Sequence, residues 1–255
     1  MKLFLIYFLF ASLSFAKPGE IFDVVFDLDW TLVNKTTESM AARDKTGVIR
    51  IGLQPYRISA GAIQQLVRLH RDPRFRVSFY SGGNSNRNNE LIAVIYQEIQ
   101  KYDATFKTHL ILNQEDLVEI EGVPASAPFS ERFKKNLLKV NSNLNRVFLI
   151  DDIANYTLPG QEENVLWLGR TYEDTASFAD AIARARKADE KTRPYYPTTE
   201  QEWRNDKLKI VSAVDIIFEA VNSRHPIATM NYLSAQKPPL KRSVQTSRQC
   251  SQLFQ

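Results

Sequence analysis

The chain is poor in the residues that would offer other ways to hold a fold or run a reaction. Cys250 is its only cysteine among 255 residues, so no internal disulfide can form and no Cys-x-x-Cys pair supports a structural zinc. His70, His109 and His225 are its only histidines. They are scattered, which suits packing or surface roles better than a shared metal site. No Gly-Lys-Ser/Thr follows a glycine-rich turn, which excludes a P-loop. No apolar run beyond the N-terminus is long enough to cross a bilayer, and no internal repeat is visible. Net charge is only +4. Lys237, Lys241, Arg242 and Arg248 supply much of it from an acid-free C-terminal stretch, so the body is close to neutral and nucleic-acid binding gains little support.

What is present reads as an exported globular protein. Lys2, the apolar stretch Leu3 to Leu13 and the small-x-small triplet Ser14-Phe15-Ala16 have the order of a secretory signal. The expected organisation is a signal peptide over 1–16, a catalytic-type domain over 17–190, a helical extension over 191–225 and a polar basic tail over 226–255. Export implies a periplasmic or secreted location and a mature chain without a membrane span. Hydrophobic and charged contents of 44% and 24% are ordinary for one domain of this length.

Apolar β-rich runs alternate with helical spacing. Strands are predicted at Ile21–Phe26, Phe75–Tyr80, Arg146–Ile150 and Val165–Leu168. Helices are predicted from Ser59 to about His70, from Glu90 to Tyr102, over Glu131–Val140 and from about Glu173 to Ala188. Asn34–Lys45 reads as loop. His109–Leu112 and Leu117–Ile120 suggest a small hairpin around Gln114-Glu115-Asp116. Thr199 and Glu202 suggest a capping box for a last helix reaching about Ser223. The alternation predicts an α/β protein with an open, mostly parallel sheet, helices on both faces and no large cap domain.

Four short segments carry chemistry. Asp27-x-Asp29-x-Thr31 follows the first strand, Ser81-Gly82-Gly83 the second, and Asp151-Asp152 the third. Lys134-Lys135 lies on a predicted short helix, and either lysine could serve. A parallel sheet gathers its strand ends onto one edge, where ligands bind. Acids placed there are costly unless a cation or a reaction uses them. One carboxylate can attack phosphorus, a second can move a proton, and hydroxyl and ammonium groups can hold the phosphoryl oxygens. Further carboxylates suit Mg²⁺, a hard cation that takes oxygen ligands.

These segments resemble the motifs of the haloacid dehalogenase superfamily, and more closely its FCP/SCP-like phosphatases of the RNA polymerase C-terminal-domain type. The resemblance covers about residues 21–185 and includes Lys135-Asn136-Leu137, Asn164-Val165-Leu166 and Glu173-Asp174-Thr175. It implies a Rossmann-like fold and Mg²⁺-dependent hydrolysis of phosphomonoesters through an aspartyl-phosphate. Asp27 would be nucleophile and metal ligand. Asp29 would be the acid/base, touching metal through its carbonyl. Ser81, with Thr31 and Gly82, would hold the phosphoryl group, and Lys135 would stabilise it. Asp151 would bind Mg²⁺, and Asp152 would do so directly or through water. Departures lie at the rim: Trp30 replaces an acidic residue, the Arg-Pro-Gly element is absent with Ile58-Ser59-Ala60-Gly61 nearby, and Gly82-Gly83 stands where Ala-Ser is common. They bear on substrate, which is expected to be a phosphoprotein or a small phosphomonoester. A nucleotide or nucleic-acid-end phosphatase, or a non-catalytic exported binding protein, are the alternatives.

Overall fold

The computed structural model describes residues 20–169, 177–188 and 196–222. The predicted signal, the basic tail and the Glu173-Asp174-Thr175 segment lie outside the described residues. Five strands form the central sheet: β1 (Phe22–Phe26), β5 (Phe75–Tyr80), β6 (Ile111–Leu112), β9 (Val147–Asp151) and β10 (Val165–Trp167), in the order β10-β9-β1-β5-β6. Every pairing in it is parallel. Such strands bury both faces, which is why their sequences are continuous apolar runs instead of alternating ones.

Alternation still decides which face each residue serves. Val24, Phe26, Phe148 and Ile150 join the larger core with α2 (Ala62–Arg71), α3 (Ser85–Gln100) and α7 (Lys209–Asn222). Val25, Val147, Leu149 and Val165 point the other way, onto Leu137 and Val140. The covers therefore differ: long helices on one face, and on the other the 3-10 turns Leu137–Lys139 and Leu144–Arg146 with their flanking loops.

Several local expectations are corrected. The stretch read as loop over Asn34–Lys45 contains β2 (Val33–Lys35) and α1 (Glu38–Arg43). With β3 (Val48–Ile51) and β4 (Gln54–Ile58), β2 builds an antiparallel sheet in the order β2-β4-β3. The anticipated hairpin does not form. β6 joins the main sheet, Gln114–Asp116 is a 3-10 turn, and β7 (Val118–Glu119) pairs with β8 (Phe133–Lys134). The helix expected over Glu131–Val140 shrinks to α4 (Phe129–Arg132), because β8 claims the next residues for pairing.

Ser59 does not cap α2; its hydroxyl donates to the Thr31 carbonyl at 2.6 Å. Gly61 takes the cap position at φ 76°, and a side chain there would meet Val211, so both backbone and packing require glycine. Described residues place α5 at Phe178–Ala185. The last predicted helix is two, α6 (Glu200–Lys207) and α7, broken at Leu208. Thr199 caps α6, while Glu202 turns to Thr198. No helix among the described residues is long and apolar enough to cross a membrane.

Candidate active site

Three neighbouring strands, β9, β1 and β5, end side by side. Asp27 follows β1, and its N–H donates to the Ile150 carbonyl at 3.0 Å, extending the ladder by one residue. Asp151 is the last residue of β9. Ser81 follows β5, with its N–H on the Leu112 carbonyl at 3.0 Å. Residues from distant parts of the chain thus share one edge because the strands carrying them are parallel and adjacent.

Lys135 comes from the segment between β8 and the 3-10 turn Leu137–Lys139. It is not helical. It forms a bridge to Thr157, its N–H donating to the Tyr156 carbonyl at 2.7 Å while Leu158 N–H donates back to Lys135 at 3.0 Å. This zipper aims the ammonium at the carboxylates: Nζ donates to Asp27 Oδ1 at 2.7 Å and to Asp151 Oδ2 at 2.6 Å. Lys135 is fully buried. Lys134, the competing lysine, reaches the Asn155 carbonyl instead. The rings of Tyr156 and Tyr80 lie 4.8 Å and 5.8 Å from the Lys135 ammonium.

Asp27, Asp151 and Asp152 bring carboxylate oxygens within 4.8 Å of one another. Burial pushes Asp27 well above the usual carboxylate range, with Lys135 opposing it. Burial, then the charge of Asp151, raises Asp152 to about 7. Burial works against the charge on Lys135, but Asp151 and Asp27 outweigh it and drive its pKa upward. Three carboxyl groups gathered about one ammonium offer an all-oxygen donor set, which suits a divalent hard cation such as Mg²⁺, and a bound cation would favour their ionised forms. Asp151 Oδ1 also accepts from Ile153 N–H at 2.8 Å, fixing its orientation. The Asp152 carbonyl accepts from Trp167 Nε1 at 2.8 Å, which anchors its backbone.

The other anticipated residues divide. Ser81 is buried at the edge, its Oγ accepting from Gly83 N–H at 3.2 Å. A side chain on Gly82 would run into the Tyr156 hydroxyl and press on Phe129, so this loop approaches Tyr156 more closely than Ala-Ser would allow. Thr31 is buried and lines a cavity of about 360 Å³ with Asn34, Arg57, Ser59 and Asp206; none of Asp27, Lys135 or Asp151 borders it. Asp29 stands apart from the carboxylate cluster. Its side chain is 41% exposed and is gripped at both oxygens by Arg87. Trp30 beside it is the one non-glycine residue at positive φ among those described, at 60°, a strained conformation of the kind that gathers at functional turns.

Nothing in the sequence points to Tyr156, and Arg87 stands just past Ser81 among Asn84, Asn86, Asn88 and Asn89, a polar stretch that reads as loop. Arg87 did carry a signal, since it follows Ser81 within one helical turn of the α3 start. Tyr156 carried none. Its closeness to Gly82 and Lys135 exists only in three dimensions.

No protein-family model matches the chain, and no curated protein does. Among solved structures, the chain is similar to the fission yeast RNA polymerase II CTD phosphatase Fcp1 bound to beryllium fluoride, at 14% identity and a TM-score of 0.42 over 88% of this chain and 70% of that one. It is likewise similar, at 14% identity and a TM-score of 0.43 over 89% of this chain and 61% of the other, to Fcp1 described as an essential RNA polymerase II CTD phosphatase.

Proposed function

We propose that this protein is a Mg²⁺-dependent phosphomonoesterase of the haloacid dehalogenase type. The observation that carries the reading is Lys135, a buried ammonium held between Asp27 and Asp151 with Asp152 beside them. An ammonium in that place neutralises acids that a phosphoryl group must approach.

Asp27 attacks phosphorus through one carboxylate oxygen, and the bond from phosphorus to the leaving oxygen breaks. That oxygen takes a proton from Asp29 and departs as an alcohol. Water then attacks the aspartyl-phosphate, gives its proton to Asp29, and frees phosphate and the Asp27 carboxylate. Lys135 steadies Asp27 and the phosphoryl oxygens throughout. The Ser81 hydroxyl and the backbone of Gly82 orient the group at the edge. Asp27, Asp151 and Asp152 would hold Mg²⁺, with Asp29 adding its carbonyl, and the ion would neutralise charge on the transferring group.

Phosphoproteins and small phosphomonoesters are the substrates in view. The setting is proposed to be extracytoplasmic, on the Lys2 to Ala16 pattern alone. Hydrolysis of an aryl phosphate, with and without Mg²⁺, tests the chemistry. The wild type should turn over only with the metal, and Asp27→Asn should fall by about 10³-fold or more, as loss of an attacking group does. Metal-independent turnover, or full activity in the variant, would sink the reading.

A further inference from the structure

The carboxylate proposed to move the proton is held by an arginine. Arg87 Nη1 donates to Asp29 Oδ2 at 2.7 Å, and Nη2 donates to Asp29 Oδ1. Both oxygens of Asp29 are therefore engaged as acceptors on the guanidinium fork, which keeps the carboxyl group turned to Arg87 and away from a leaving group.

The two partners are not equally fixed. Arg87 sits in the first turn of α3, where its N–H is capped by Asn84 Oδ1 at 2.9 Å. Its Nη1 also donates to Asn88 Oδ1 at 3.1 Å, and its guanidinium lies 5.3 Å from the Tyr56 ring centroid. Asn88 is buried and tied to the Gly83 carbonyl and to Asn113, each at 2.8 Å. The guanidinium keeps these supports without Asp29. Asp29 is the more exposed member of the pair and lies in a tight turn, where Trp30 N–H donates to Val33 and Val33 N–H to Leu28.

We infer that Arg87 is an anion-binding residue for the leaving group, and that the substrates are phosphomonoesters carrying a carboxylate or second phosphate near the ester oxygen. The inference rests on Asp29 being the acid/base of the proposed reaction. The two-pronged grip on Asp29 displays the geometry an incoming carboxylate would adopt on the same fork. Such an anion takes Arg87, and the Asp29 oxygens become free to serve the leaving oxygen. A neutral leaving group offers no replacement and leaves Asp29 held.

Phosphoglycolate and ethyl phosphate test this, since they differ at the position of a carboxylate. Steady-state kinetics of the full chain should favour phosphoglycolate by about tenfold or more in kcat/KM, the scale of one charged hydrogen-bonded contact. Arg87→Gln should bring the two substrates within about twofold, lowering one and raising the other. Arg87→Lys should keep part of the preference, because charge remains and the fork is lost. A purely structural arginine would lower both substrates together, and that result overturns the inference, as does equal use by the wild type. Calorimetry of both compounds with Asp27→Asn, and with the same variant carrying Arg87→Gln, reads the anion site apart from turnover. If no substrate is hydrolysed yet Arg87 still determines phosphoglycolate binding, the anion site stands and the phosphatase reading falls. If Arg87→Gln leaves that binding unchanged, the anion site falls.

Discussion

Lys135 is fully buried, and its two carboxylate partners are the main compensation for that burial. Removing one member of a buried charge set leaves the others uncompensated, at a cost of about 3–5 kcal/mol. Lys135→Met should therefore lower stability by about that amount when Mg²⁺ is absent, because Asp27, Asp151 and Asp152 then face one another without a cation. Added Mg²⁺ should recover more stability in the variant than in the wild type, while activity stays lost. Chemical denaturation with and without the metal checks both parts. Gly82 shows the opposite constraint, where a missing side chain is the requirement. Gly82→Ala drives a methyl into the Tyr156 hydroxyl and should cost about 1–3 kcal/mol, the range for overpacking. Tyr156→Phe removes the colliding oxygen, so the double variant should be more stable than the sum of the single changes predicts. Additive thermal shifts would show that the two residues do not press on each other.

At the scale of elements, α2 and α3 are joined by a polar clasp at their far ends. Asp103, just past α3, accepts from the Thr105 hydroxyl at 2.7 Å and faces His70 Nδ1 of α2 at 3.0 Å. The Thr105 contact first, and His70 next, hold Asp103 down to about 2. A carboxylate with a depressed folded-state pKa stabilises fully above its ordinary value near 4, and that contribution is lost as pH falls from about 4 toward 2. Asp103→Asn should thus be less stable than wild type at pH 6, with the difference shrinking across that acid window. Melting temperatures of both proteins from pH 2 to 6 would reveal a constant gap if the clasp plays no part. Legibility followed the same boundary between local and distant causes. β1, β5 and β9 could be read because each is a continuous apolar run bounded by polar residues. β2 and β3 could not: Val33-Asn34-Lys35 is short and mostly polar, Val48–Ile51 is short and broken by Arg50, and each becomes a strand by pairing with β4. The Phe133, Leu137 and Val140 spacing resembles a helix face, yet β7 and Thr157 impose pairing on that stretch. Asp27, Ser81 and Asp151 could be placed at the edge because acids and a hydroxyl end buried runs. The grip of Arg87 on Asp29, and Tyr156 against Gly82, depend on neighbours that no spacing records.

Across the whole molecule, the edge of the sheet is assembled from pieces that the chain delivers late. Asp27 and Lys135 are separated by 108 residues, and Asp151 follows Lys135 by 16. Contacts so distant in sequence form slowly, since the intervening loop must close before they contribute. A growing polypeptide that has not yet delivered β9 holds Asp27 without the strand that completes its edge, and Lys135 without its second counter-ion. A partly folded intermediate has no way to bury that ammonium at low cost. The buried lysine therefore ties a finished edge to the late strand β9, and during refolding the activity proposed above should return with the slowest phase, not with the first recovery of helix.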